Sequence, residues 1–207
     1  MSVGFDRLWR RRTAGLLALQ PGDLAADLCG GTGDLALTVQ RQYPHARVLL
    51  IDFAQEMLQR APPKLEKTAG RRPRAIAGDA CRLPLADGSC AGVAAAFGFR
   101  NLRSARAGLE EARRVLKPGG RLAMLEFFRP TGLFSRAKSA GLLAFPPTIA
   151  WLVAPRRAPA YRYLARSILR FLSLDEMRAL LDEIGFTDVT VHPQILGIAT
   201  IMGATRR

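Results

Sequence analysis

Residues 25–37, AADLCGGTGDLAL, place Gly30, Gly31 and Gly33 between two apolar series. Glycine has no Cβ, so such a loop can turn sharply and let a ligand lie against bare main chain. Asp52 ends the next apolar run. It stands about 20 residues beyond the loop, the spacing at which a carboxylate accepts both hydroxyls of a ribose. Loop and acid together predict a ligand that carries a nucleoside. Asp79, in GDACRLPLADGS, adds a carboxylate where it can take the exocyclic amine of adenine, with the main chain of Ala80 beside it. Further on, FGFRNL puts Phe97, Arg100 and Asn101 in one turn. A guanidinium stays protonated and is no ordinary base, but it can stabilise an oxyanion or orient a water.

These groups need a scaffold that brings them to one edge. DLAADL and ARVLLID read as short buried strands, and GDLALTVQRQYP between them as a helix that starts at the glycines. AQEMLQRAPPKLEKTAG reads as a helix broken or kinked at Pro62 and Pro63. RAIAGDA and CAGVAAAFG are further strands, ARAGLEEARRVLKPGG a helix with a glycine stop, and RLAMLEFF a fifth strand. Strand alternating with helix predicts right-handed crossovers, a mostly parallel sheet and a Rossmann-like, doubly wound α/β fold. The last third differs. LSLDEMRALLDEIGF is a capped amphipathic helix, and TDVTVHPQ and LGIATIMGATR read as an antiparallel pair at the C-terminal sheet edge. Residues 1–23 contain a further helix, and no repeat or low-complexity linker divides the chain, so residues 1–207 are expected to form one domain. Ligands of doubly wound sheets sit beyond the carboxyl ends of the strands at the switch in strand order, which is where the glycine loop falls.

Gly31, Gly33 and Ala36 also satisfy the dinucleotide pattern G-x-G-x-x-G/A, which makes NAD a rival ligand. Asp34, at the helix start, would repel a pyrophosphate, although an acid there also complements the helix dipole. Asp79 and the RVLKPGGRLAMLEF turn also move the reading away from NAD, and the enzymes whose pattern they resemble use S-adenosylmethionine, which carries a cationic sulfonium and no phosphate. Its methionine end needs a carboxylate or carbonyls for the ammonium and main-chain N–H groups for the carboxylate. Asp27 and the loop of Cys29, Gly30, Gly31, Thr32 and Gly33 can supply them, while Asp27 can equally be an acid that caps its own loop.

With these residues in place, the chain resembles the S-adenosylmethionine-dependent methyltransferases of the Rossmann-like class, class I. DLCGGTGDLA, LPLADGSCAGV, FGFRNL, VLKPGGRLAMLEF, YRYLARSI and GFTDVTV together resemble the quinone-ring C-methyltransferases of menaquinone and ubiquinone biosynthesis. The likeness runs from VGFDRLWR to the C-terminus; FGFRNL with YRYLARSI is its narrower signature, since the glycine and K-P-G-G motifs belong to the whole class. The resemblance implies S-adenosylmethionine as cofactor, bound by Asp27, residues 29–33, Asp52, Phe53, Asp79, Ala80 and Phe97. It implies Arg100 and Asn101 as the catalytic residues, no metal, and a prenylated quinol as acceptor, demethylmenaquinol ahead of a ubiquinone precursor. Members of that family carry a further segment ahead of the position of Val3 that helps to cover the active site, whereas Met1 begins just after it here.

The 31 Lys+Arg against 17 Asp+Glu give a net charge of +14. That favours nucleic acid or membrane headgroups as partners, although an arginine-rich composition produces such a charge without any binding role. FGFRNL argues against nucleic acid. It lacks the acid or Asn, two prolines and aromatic used on exocyclic base amines, and the cysteine used at base C5; Cys90, the nearest upstream, is expected in the core. The insertion at about residues 131–160 contains an apolar run, 141–154, too short and proline-broken to span a bilayer. Flanked by Arg136, Lys138, Arg156 and Arg157, it reads as an interfacial substrate or membrane element, or as a buried or homodimer face. Three cysteines without C-x-x-C spacing predict neither a zinc site nor a disulfide framework. No signal-peptide pattern opens the chain, so the expected location is cytoplasmic, with peripheral attachment at the inner face of the membrane.

Overall fold

The computed structural model describes residues 5–61, 65, 71–131, 158–194 and 199–207. The apolar run at 141–154 and the Pro62–Pro63 break lie outside the described residues. Five segments pair in parallel: β1 (Leu24–Leu28), β2 (Arg47–Asp52), β3 (Arg74–Ala77), β4 (Cys90–Ala96) and β5 (Leu116–Phe127). Two more, β6 (Phe186–Gln194) and β7 (Ala199–Arg206), complete a seven-stranded sheet in the order β3-β2-β1-β4-β5-β7-β6. The C-terminal pair is antiparallel, as its turn-separated pattern predicts. β7 inserts between β5 and β6 and runs against both, which leaves β6 at the edge.

Period-two alternation sorts the strands between two covered faces. Ala26, Leu28, Val93, Ala95, Leu122 and Met124 pack with α4 (Ala105–Val115) and α6 (Leu174–Ile184) on one side. Their neighbours Ala25, Ala94 and Ala123 pack on the other with α2 (Asp34–Gln42) and the end of α1 (Phe5–Gly15). With both faces buried, β1 and β4 consist almost wholly of apolar residues. Two helices complete the set, α3 (Gln55–Gln59) and α5 (Ala158–Arg170).

One boundary departs from expectation. The helix read over residues 105–120 ends at Val115, and Leu116 already has extended backbone (φ −69, ψ 143). Pro118 excludes the helical region for the residue before it, so the chain leaves the helix early and joins β5 through an irregularity opposite Cys90 and Gly92. The capped helix near the C-terminus is as read. Ser173 accepts the Glu176 N–H, the Glu176 carboxylate accepts the Ser173 N–H, and Gly185 ends α6 with φ 95.

Candidate active site

The carboxyl ends of β1, β2 and β4 converge where the strand order switches, and the glycine loop forms the floor of the resulting site. Cys29 leaves β1 with φ 52, and Gly31 follows at φ 56, a conformation that favours glycine. Gly30 is fixed by crowding. A Cβ there would lie 2.1 Å from Leu50 Cδ1 and 2.7 Å from Asp27 Oδ2. Asp27 sits beneath the loop, 1 % exposed. Its Oδ2 accepts the Ala36 N–H at 2.8 Å and so caps the first turn of α2, while Oδ1 is buried without a partner. Burial pushes this carboxyl up to about 7, against the Ala36 hydrogen bond and the positive charge of Arg10.

Asp52 holds the loop from the side. Its Oδ2 accepts the Gly31 N–H and its Oδ1 the Ala54 N–H, both at 2.8 Å. It lines a cavity of about 540 Å³ together with Cys29, Gly30, Gly31 and Thr32. Phe53, 81 % exposed, stands beside it on the same cavity. Asp79 and Ala80 follow β3 and form the next wall. Asp79 Oδ1 accepts the Cys81 N–H at 2.8 Å, and Oδ2 lies 3.6 Å from Arg103 Nη2. The remaining wall is the turn after β4, including Phe97 and Asn101. Asp27 and Gly33 are not among the lining residues: the first braces the loop from below, and the second, at φ 83, starts α2.

The turn after β4 is built tightly. Phe97 has φ 58, donates its N–H to the Leu125 carbonyl at 2.8 Å, and stacks on Phe127 with ring centroids 4.6 Å apart. A Cβ on Gly98 would lie 2.3 Å from Cys29 Cβ, so the turn closes directly on the glycine loop. Arg100 Nη1 donates to Glu126 Oε1 at 2.5 Å and to the Phe97 carbonyl at 2.6 Å. Its guanidinium lies 5.7 Å and 5.5 Å from the ring centroids of Phe97 and Phe127. Burial pushes the Glu126 carboxyl upward even with Arg100 and the Phe127 N–H opposing it.

Arg100 and Asn101, expected together at the reacting centre, face different spaces. Asn101 lines the 540 Å³ cavity, and its Oδ1 accepts the Tyr163 hydroxyl at 3.0 Å. Arg100 lines a second cavity of about 470 Å³, with Phe99, Ser167 and Phe171. Leu102 and Tyr163 line both, so the two spaces adjoin.

Two residues of the site escape a reading of the sequence alone. Arg10, on α1, lines the first cavity; its guanidinium is 5.9 Å from the Phe97 centroid, and its Nε is buried without a partner. Trp9 sets it there, packing with Leu125, Ala199 and Ile201 from strands far along the chain. Glu126 is the other. Its one local signal is a lone acid inside the apolar run RLAMLEFF. Cysteine chemistry is disfavoured on energetic grounds: burial, with Asp52 and Asp27 nearby, pushes the Cys29 thiol up to about 12. Cys90 is fully buried at the start of β4, in the core as expected.

Residues 1–206 match the ubiE/COQ5 methyltransferase family. The chain is 38 % identical over 206 residues to the ubiquinone/menaquinone biosynthesis C-methyltransferase UbiE of Geobacter sulfurreducens, covering 97 % of this chain and 79 % of that protein. The protein of the same name from Syntrophotalea carbinolica is 38 % identical over 212 residues, covering 100 % and 86 %. Among solved structures, the fold is similar to phosphoethanolamine N-methyltransferase 2 of Haemonchus contortus in complex with S-adenosylmethionine. There the TM-score is 0.71 at 14 % identity, over 98 % of this chain and 52 % of that one. It is also similar to an S-adenosylmethionine-dependent methyltransferase from Aquifex aeolicus, at TM-score 0.67 and 19 % identity over 96 % and 89 %.

The site suits the cofactor of such enzymes. S-adenosylmethionine brings a ribose, an adenine and a zwitterionic end, and the cavity offers Asp52, the exposed Phe53 with Asp79, and the cation Arg10 beside a glycine main chain. It is the cofactor of this enzyme, and the chain belongs to the ubiE/COQ5 methyltransferase family.

Proposed function

We propose that the protein methylates a ring carbon of a prenylated quinol, with demethylmenaquinol ahead of a ubiquinone precursor as acceptor. The observation that carries this reading is the pair of adjoining cavities. One has a glycine floor and acids for a nucleoside; the other is lined by Phe99, Phe171 and the cation Arg100, and suits an aromatic ring that becomes an anion.

When bound, S-adenosylmethionine supplies an electrophilic methyl group on a sulfonium. Asp52 accepts the ribose hydroxyls through lone pairs left over from its two main-chain bonds. Asp79, Ala80, Phe53 and Phe97 are the lining residues that would hold the adenine. Residues 29–32 and Arg10 would receive the methionine end, and Asp27 acts from beneath by holding the first turn of α2.

A quinol ring carbon becomes nucleophilic when the neighbouring hydroxyl loses its proton and resonance spreads the charge into the ring. Arg100 stabilises that oxyanion and cannot itself take the proton, which leaves through a water. Glu126 and the Phe97 carbonyl hold the guanidinium in place. Asn101, fixed by Tyr163, aligns the junction between the two cavities. Alignment matters because a methyl transfer between two bound groups owes much of its rate to orientation. The test is turnover with labelled cofactor on four acceptors: demethylmenaquinol, a demethyl-ubiquinol precursor, a small soluble phenol and bulk RNA. The reading expects the prenylated quinols to be used and RNA not; equal or better turnover on RNA would overturn it.

A further inference from the structure

The two adjoining cavities differ in charge. The cofactor cavity is lined by Asp34, Asp52 and Asp79 against one cation, Arg10, among its described residues. The second is lined by Arg100, Arg166 and Arg170, and neither an acid nor a histidine is among its described lining residues. Two of those cations come from α5. Tyr163, Arg166, Ser167 and Arg170 stand at the spacing i, i+3, i+4 and i+7, so one polar face of α5 meets the cavity. Phe99, Leu102, Ala105 and Phe171 make up its apolar lining. Arg100 is held by Glu126 of β5, and Arg129, which donates to the Phe171 carbonyl, is held by Glu176 of α6. Arg166 and Arg170 are exposed, and no acid pairs with either among the described residues.

Cations without an acid favour an anionic guest, because an opposite charge close by stabilises the ionised form of a hydroxyl. The lack of a side-chain base in the lining points the same way. Arg100 cannot take the acceptor's proton. The two hydroxyls on the α5 face are already donors, Tyr163 to Asn101 and Ser167 to the Leu164 carbonyl. We propose that the second cavity takes its acceptor as an anion, Arg166 and Arg170 being the residues that select an ionised ring oxygen over the neutral hydroxyl. The hydroxyl proton passes to bulk water as the acceptor binds, and its electron pair stays on oxygen and spreads to the ring carbon. That carbon takes the methyl group as the carbon–sulfur bond breaks with its pair going to sulfur, and loss of the ring proton to water restores the aromatic ring. The inference rests on the second cavity being the acceptor site of the proposed reaction.

The experiment uses the intact protein with S-adenosylhomocysteine in place of the cofactor, so that no methyl group is transferred. The probe is para-nitrophenol, whose anion absorbs where its neutral form does not. Bound to the parent, it should ionise about one pH unit below the free probe, which equals about a tenfold preference for the anion. R166Q/R170Q should return it to the free value, whereas R166K/R170K, which keeps both charges, should retain the preference. para-Nitroanisole, which cannot ionise, should bind the parent and both variants alike. With the quinol, the rising limb of kcat against pH should move about one pH unit upward in R166Q/R170Q, because that limb reports ionisation in the bound complex. Cofactor affinity by calorimetry should match the parent, since neither arginine lines the cofactor cavity. A parent that does not bind the probe, or binds it without altering its ionisation, would overturn the proposal, as would an unmoved kcat profile in R166Q/R170Q. So would tight binding of para-nitrobenzoate with no ionisation of the phenol, which would assign the cations to a carboxylate. Probe binding requires no methyl transfer. An anion-selective cavity in a protein that methylates no quinol would therefore sink the acceptor and leave this inference standing, and quinol methylation by a cavity indifferent to charge would do the reverse.

Discussion

Arg100 and Glu126 form an ion pair at 2.5 Å with side chains 10 % and 2 % exposed, tying the turn after β4 to the end of β5. Removing one partner of a buried pair strands the other charge, at a cost of about 3–5 kcal/mol, whereas replacing both by apolar groups is often neutral. Arg100→Ala should therefore lose stability by about that amount in urea unfolding, and the double variant Arg100→Met with Glu126→Leu should recover most of it. Turnover should stay at least about 100-fold down in both, as expected when a charge stabiliser is lost. Recovery of turnover along with stability would make Arg100 part of the framework only.

Asp52 is expected to dominate cofactor affinity. Asp52→Ala removes the acceptor for the Gly31 and Ala54 N–H groups as well as for the ribose. Charge-assisted bonds contribute roughly 1.5–3 kcal/mol, so calorimetry should find affinity reduced about 10- to 100-fold. Unchanged affinity would remove Asp52 from the cofactor site.

Asp27 should make stability depend on pH. Its carboxyl is raised from 3.8 to about 7 in the fold, so the folded state holds more protons than the unfolded one between those values. Its contribution is then fully present below about pH 4 and is lost as pH rises toward about 7. Asp27→Asn keeps an amide oxygen for the Ala36 N–H and has nothing to ionise. Chemical unfolding at about pH 5 and about pH 8 should show the variant gaining on the parent as pH rises. A constant difference would mean that Asp27 ionises as it does in water. Glu126 acts in the same direction, but it is present in both proteins and drops out of the comparison.

Gly98→Ala should disturb both folding and the cofactor site. The added Cβ would stand 2.3 Å from Cys29 Cβ, an atom that moves only with the glycine loop. Loss of about 1–3 kcal/mol, the usual range for overpacking, should come with weaker cofactor binding. A variant with parental stability and affinity would show that the two loops do not touch as described.

The alternation of buried strands and amphipathic helices made the doubly wound, mostly parallel sheet legible, because each element has a period of its own; the order of the strands within it was not. Gly30, Gly31 and Asp52 were legible for a similar reason: loop and acid sit at a fixed separation along adjacent strands. Arg10 was not, since only the packing of Trp9 against Leu125 and Ile201 carries it to the cavity. The separation of Arg100 from Asn101 was hidden too. Adjacent residues of a 3₁₀ turn, Phe99–Asn101, point apart, and the partner that fixes Arg100 lies 26 residues away. The early end of α4 was readable in principle from Pro118, but the glycines beyond it gave the stronger stop signal.

The account stands most directly on where the methyl group goes. Incubation with carbon-labelled S-adenosylmethionine and demethylmenaquinol, followed by carbon NMR of the extracted lipid, distinguishes a methyl on a ring carbon from a methyl on oxygen. The account predicts the label on the unsubstituted ring carbon, and its loss in the Asp52→Ala protein. Label on a quinol oxygen, or a quinol left unlabelled while the cofactor is consumed on another acceptor, would contradict it.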